Sequence, residues 1–256
     1  NFQIDYGVNY MFVLGTTGEH ATLTAEEKEK VKKTIIKTNN GRIPLVIGIG
    51  GNNTMAVINE IKTTDLSPFS ALLSVSPYYN KPTQEGLYQH YKAINNKCGL
   101  PIFIYNIPGR SVIDMSVDTM ARLYELKNIA GVKDATGDLN RVVQQRKKLG
   151  KDFIQFTGED LNAFEFKLRG GVGCISVTAN VAPRLCSEMQ TLLDYKTDKL
   201  ILQRAKEINK IHSGITLVLN NGYTGISAKY KSKRHKLVKE VPTTETTTIM
   251  CTSLSY

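Results

Sequence analysis

Short apolar runs alternate with amphipathic stretches along most of the chain. The runs are YMFVLG (10–15), IPLVIGIG (43–50), ALLSVSP (71–77), LPIFIYNIP (100–108), IAGVKDA (129–135), FIQFTG (153–158) and VGCISVTA (172–179). Most are rich in Val and Ile and nearly continuous, the pattern of parallel strands buried on both faces. Helical signals lie between them. In 23–40, Thr24 followed three residues later by Glu27 predicts a capping box. The segments 83–97 and 116–128 follow the same logic, the latter with Asp118 placed to favour the helix dipole. In 138–150, Asp138 stands as the cap, and lysines and Gly150 suit a C-terminus.

Seven β–α repeats without a break argue for an α/β fold. They suit an open seven-stranded sheet or a (β/α)8 barrel short of one strand. In a barrel the chemistry sits at the C-terminal strand ends. A dinucleotide fold fits less well, because GIGGNN (48–53) lacks the GxGxxG spacing and an acidic partner.

The residues just past the runs carry the candidate chemistry: GTTGE (15–19), PYYN (77–80), YNIPGR (105–110), Lys133 with Asp134, and Gly158, Glu159 and Asp160. Two hydroxyls among small residues in GTTGE can clasp a carboxylate, although the same pattern makes a plain turn. Lys133 ends an apolar strand. A buried ammonium is costly unless it is paired or loses its proton. The residues alone leave two readings open: a salt bridge with Asp134 or another acid, or an amine that attacks a ketone beside Tyr105 as proton shuttle.

Composition changes this picture little. The net charge is +10, and Lys229, Lys231, Lys233, Arg234, Lys236 and Lys239, offset by Glu240, supply half of it. That run reads as a solvated face, and no zinc-finger, RNP or aromatic pattern points to nucleic acid. Cys98, Cys174, Cys186 and Cys251 have no CxxC spacing, so neither a disulfide framework nor a zinc site is expected. No apolar run of transmembrane length and no signal peptide is apparent, and a cytoplasmic protein is expected.

GTTGE, SPYYNKPTQEGLYQHY, PIFIYNIPGRS, GVKDATGDL and GVGCISVTANVAP together closely resemble the dihydrodipicolinate synthase family, the 4-hydroxy-tetrahydrodipicolinate synthases. These belong to the pyruvate-dependent Schiff-base class I aldolases and lyases, all (β/α)8 barrels. The resemblance runs from about residue 5 to residue 212. It implies condensation of pyruvate with L-aspartate 4-semialdehyde, on the route to diaminopimelate and lysine, with no metal or loose cofactor. It makes Lys133 the imine lysine, Tyr105 the catalytic tyrosine and Thr17 the relay hydroxyl and a pyruvate contact. Thr16 would help hold the pyruvate carboxylate, and Arg110 would receive the aldehyde's carboxylate. Gly158 would line the pocket, and Ile175 would turn its carbonyl to the lysine. Tyr79 would enter the neighbouring subunit's site within a homotetramer of two tight dimers.

The resemblance also implies departures. The barrel's first strand is expected to be missing, with residues 1–9 as the end of the first helix and strand edges left unpaired. The division expected is a barrel over 1–204 and a divergent helical or tail region over 205–256, whose atypical sequence is open to a frame error. Asn52 and Tyr78 match a lysine-feedback site, but Ala56, Ala25 and Lys28 replace its other ligands, so weak or absent feedback is expected. Two alternatives stand beside this reading: an N-acetylneuraminate lyase or other sugar-acid aldolase, which would lack the GR pair after YNIP, and an inactive barrel with a basic binding tail.

Overall fold

A computed structural model describes residues 1–223 and 248–252. Strands β1 (Tyr10–Val13), β2 (Leu45–Gly48), β3 (Ala71–Val75), β4 (Ile102–Asn106), β5 (Ile129–Asp134), β6 (Ile154–Thr157) and β7 (Gly173–Ser176) pair in sequence order, each parallel to the next. The helices are α1 (Phe2–Asp5), α2 (Ala25–Asn39), α3 (Thr54–Thr63), α4 (Gln84–Asn95), α5 (Pro108–Ser111), α6 (Val117–Tyr124), α7 (Asn140–Leu149), α8 (Ala163–Leu168), α9 (Pro183–Leu192) and α10 (Lys199–Tyr223). The capping box at Thr24 forms: its side chain accepts from Glu27 N–H at 3.2 Å, and Glu27 accepts from Thr24 N–H at 2.8 Å. Helix α7 starts two residues after Asp138, whose carboxylate accepts from Asn140 N–H at 2.9 Å.

Successive residues of each strand point to opposite faces. Phe12, Val46, Leu73, Phe103, Tyr105, Phe156 and Ile175 form one cluster inside the ring. Met11, Val13, Leu45, Ile47, Leu72, Ile104 and Val132 form another with helix residues such as Leu87, Tyr91, Met120 and Leu123. Burial on both faces explains why the runs read as continuous.

The seam differs from expectation. An eighth strand, β8 (Thr248–Thr252), lies between β1 and β7 and runs antiparallel to both, closing the barrel. In register, Met250 stands opposite Tyr10 on one side and Ile175 on the other. TIMCT combines β-branched and apolar residues, which suits a strand. The two edges expected to be unpaired are thus covered by the chain's own later segment. The basic run Lys229–Lys239 and the VPTTE segment lie outside the described residues.

Candidate active site

Lys133 lies in the fifth position of β5 and is 5% exposed. Strand register puts Tyr105 of β4 on one side of it and Phe156 of β6 on the other. Its amine nitrogen lies 4.1 Å from the centroid of the Tyr105 ring, within cation–π range while protonated. Among the described residues no carboxylate stands within ion-pair distance of this amine.

The neighbouring Asp134 faces the other way. Its Oδ2 pairs with Arg141 Nε of α7 at 3.0 Å, and its Oδ1 accepts from Thr136 N–H at 2.9 Å and the Thr136 hydroxyl at 2.6 Å. Arg141 also binds Asp114 Oδ2 at 3.2 Å and donates to the Met115 carbonyl at 2.7 Å. Asn106, beside Tyr105, donates to Asp114 Oδ1 at 2.8 Å and accepts from Met115 N–H at 3.1 Å. One network, buried except at Asp114, therefore braces the outward neighbours of both Tyr105 and Lys133. It consumes the acid that could have neutralised the lysine, so the salt-bridge reading with Asp134 is excluded.

Gly158 follows β6 and donates its N–H to the Asp134 carbonyl at 2.7 Å. A Cβ there would stand 2.8 Å from Lys133 Cε and 3.0 Å from Ala135 Cβ. Only glycine leaves the lysine its present course. Ile175 is 1% exposed and packs in the same inner cluster as Tyr105. Thr16 and Thr17 sit half-buried in a single 3-10 turn, Thr16–Gly18, directly past β1. Neither hydroxyl makes a hydrogen bond among the described residues.

Arg110 is exposed on the short helix α5 past β4. Glu159 links it to the lysine electrostatically. Burial and the adjacent Asp160 push the Glu159 carboxyl upward, against the opposing pull of Lys133 and Arg110. Glu159 belongs to this mouth although the sequence assigned it no role. Its signal was its place directly after Gly158. Asp160, Arg141 and His212 were likewise unassigned.

Tyr79, in contrast, is 83% exposed with φ of 73°, and Tyr78 is 40% exposed. Both lie on the surface past β3, as does Asn52 past β2. Cys98, Cys174 and Cys186 are buried. Among the described residues no group of three or more His, Cys, Asp or Glu side chains could hold a metal, and no helix is long and apolar enough to cross a membrane.

The arrangement can support imine chemistry: a buried amine without an ion-pair partner among the described residues, a phenol ring against it, two hydroxyls on the turn past β1 and an arginine past β4. Residues 1–248 match the Dihydrodipicolinate synthetase family. The 4-hydroxy-tetrahydrodipicolinate synthase of Pelagibacter ubique is 54% identical over 232 residues, covering 90% of this chain and 79% of that protein. The protein of the same name from Bradyrhizobium diazoefficiens is 50% identical over 220 residues, covering 86% and 74%. Among solved structures, the chloride-inhibited dihydrodipicolinate synthase of Acinetobacter baumannii complexed with pyruvate superimposes with a TM-score of 0.84 at 40% identity, covering 94% and 84%.

Proposed function

The chain belongs to the dihydrodipicolinate synthetase family, and we propose that it condenses pyruvate with L-aspartate 4-semialdehyde to give 4-hydroxy-tetrahydrodipicolinate, a lyase step of diaminopimelate and lysine biosynthesis. The observation that carries the assignment to residues is the unpaired Lys133 amine set against the Tyr105 ring.

The neutral amine of Lys133 adds to the pyruvate keto carbon and, with loss of water, forms an imine. The iminium draws electrons from the adjacent methyl group, which loses a proton to give an enamine. The enamine carbon bonds to the aldehyde carbon of the second substrate. The amino group of that substrate then closes onto the imine carbon and releases the lysine. Tyr105 moves protons in these steps, and Thr17 relays them. Thr16 and Thr17 hold the pyruvate carboxylate. Arg110 takes the carboxylate of the aldehyde, for which its planar fork is suited. That contact favours a small dicarboxylic product over a sugar-acid partner. Gly158 and Ile175 shape the wall around the imine. The reaction needs no metal or loose cofactor, because the iminium is the electron sink.

In this reading the chain assembles as a homotetramer of tight dimers in the cytoplasm. The exposure of Tyr79 and its left-handed backbone support its delivery to a neighbouring subunit's pocket. Asn52 and Tyr78 are remnants of a feedback site that lysine engages weakly, since Ala56 supplies no carboxylate for a lysine ammonium. Strong inhibition by millimolar lysine would refute that point.

The test is intact mass after borohydride reduction with pyruvate. A gain of about 72 Da, one pyruvate less water plus two hydrogens, should appear on wild type and not on Lys133→Ala. No gain on folded wild type would refute the mechanism.

A further inference from the structure

A second buried ionic centre lies behind the β6 and β7 strand ends, and the reaction steps above do not use it. Asp160 is 5% exposed and His212, from α10, is 1% exposed. One carboxylate gathers donors from three elements. Asp160 Oδ2 accepts from Val177 N–H at 2.7 Å and Thr178 N–H at 3.2 Å. Oδ1 accepts from the Ser176 hydroxyl, and His212 Nε2 lies 3.3 Å from it. Ser176 in turn accepts from Ala179 N–H at 2.9 Å. Residues 176–179 form the turn that ends β7, one residue past Ile175. Asp160 itself stands two residues past Gly158, whose missing side chain makes room for Lys133. The carboxylate thus ties together the two strand ends that wall the lysine.

His212 is placed by the helix period. Ala205, Ile208 and His212 recur at three and four residues, and Ala205 and Ile208 pack with Phe164, Cys174 and Met189. The same stripe continues to Thr216, whose hydroxyl lies 2.7 Å from that of Thr178. The groups facing the pair are Ser176, Cys174 and Cys186, all buried.

We propose that Asp160 and His212 act as a positioning pair, holding the ends of β6 and β7 so that Gly158 and Ile175 keep Lys133 aligned for imine formation. The inference rests on the imine reading above. His212 holds Asp160 by charge and a hydrogen bond, and Asp160 orients the β7 turn. Neither touches substrate. Misplacing a reacting group by about 1 Å can cost a hundredfold in rate, so loosening this pair should appear in catalysis as well as in stability.

The experiment compares His212→Leu, His212→Gln and Asp160→Asn with wild type and with Thr216→Val. The last disturbs the same helix seam without touching the carboxylate. For each, the folded fraction is measured first by circular dichroism. The rate of borohydride-trapped pyruvate adduct and the split of kcat from KM for pyruvate are then measured per folded molecule. His212→Leu and Asp160→Asn should lower the trapping rate and kcat by about tenfold to a hundredfold, with KM moving less than about threefold. His212→Gln keeps an N–H donor and should recover most of the rate. Thr216→Val should lose stability with an unchanged rate. If His212→Leu does not fold, His212→Gln and Asp160→Asn carry the comparison. Wild-type rates in folded Asp160→Asn, or a rate loss in Thr216→Val equal to its own, would overturn the proposal. A wild type that traps no pyruvate would instead overturn the imine reading, and the positioning role with it.

Discussion

Two adjacent residues of β5 meet opposite environments. Lys133 points into the barrel, where no acid among the described residues pairs with it and its amine lies 4.1 Å from the centroid of the Tyr105 ring. Asp134 points outward and is fully engaged by Arg141 and Thr136, with Gln145 Nε2 a further 3.4 Å away. Both are 5% exposed. Burial alone therefore does not distinguish a reactive ionisable group from a structural one; partnership does. On the outer face Asp134 and Arg141 satisfy each other. On the inner face the Lys133 amine is left without an ion-pair partner among the described residues, which is what the proposed imine chemistry requires.

The largest break in this contrast is Lys133→Ala. It should lower kcat by about three orders of magnitude or more, while the unfolding midpoint stays near wild type, because no ion pair is lost. A steady-state assay with a urea titration checks both. A severe loss of stability would mean that the amine has a structural partner after all.

Arg141→Met attacks the other face. It leaves Asp134 buried without its cation, which typically costs about 3–5 kcal/mol. The urea midpoint should fall sharply, with kcat per folded molecule changing far less than in Lys133→Ala. Adding Asp134→Asn should recover part of the stability, since the stranded charge is then gone. If Arg141→Met instead abolished activity at full stability, the two faces would not be separable.

The Asp160–His212 pair sharpens the rule by pH. Burial would lower the His212 pKa, but the hydrogen bonds and attraction of Asp160 and Cys186 outweigh it and push it up to about 9. For Asp160, burial opposes ionisation, yet His212, Ser176 and Val177 hold the carboxyl below its ordinary 3.8. His212, raised above its unfolded 6.5, contributes stability present in full below pH 6.5 and lost as pH rises through about 9. The Asp160 share is present above 3.8 and lost as pH falls below it. Wild type should lose up to about 3 kcal/mol between pH 6.5 and 9. His212→Gln should flatten that alkaline limb. His90 works on the other side: burial depresses it to about 4, so its share fades as pH falls from 6.5. Melting curves across pH separate the two histidines, and an alkaline limb unchanged in His212→Gln would refute the assignment.

Much of this was legible in the sequence, for physical reasons. Continuous Val/Ile runs report strands buried on two faces, so the seven parallel strands could be read directly. The same period of two bears on Lys133 as well: residues 133 and 134 of a strand face opposite ways, which weighs against Asp134 as its partner. Arg141 and His212 were not legible, because their partners are 7 and 52 residues distant in sequence and meet only through packing. The closing of the seam was not legible for a similar reason. Five residues such as TIMCT carry a strand propensity but no address, and only the barrel's two open edges select them. Tyr79 was legible as a motif, yet its direction depends on what stands opposite its exposed ring.

The smallest expected effect is also the most local. Gly158→Ala adds one methyl group 2.8 Å from Lys133 Cε and 3.0 Å from Ala135 Cβ. Ala135 is buried and short and cannot yield much. The lysine chain can, so the strain is relieved by moving the amine, and the overpacking cost stays near 1–3 kcal/mol. The price falls on alignment: kcat should drop by about tenfold to a hundredfold, with the trapped adduct still forming slowly on Lys133. Gly131→Ala is the control. Its methyl would meet the Ile154 carbonyl oxygen at 2.0 Å, where backbone must move, so it should cost more stability than Gly158→Ala. If Gly158→Ala kept full activity, the inner face would have room to spare, and the position of the lysine would be set by something other than the close approach of β6.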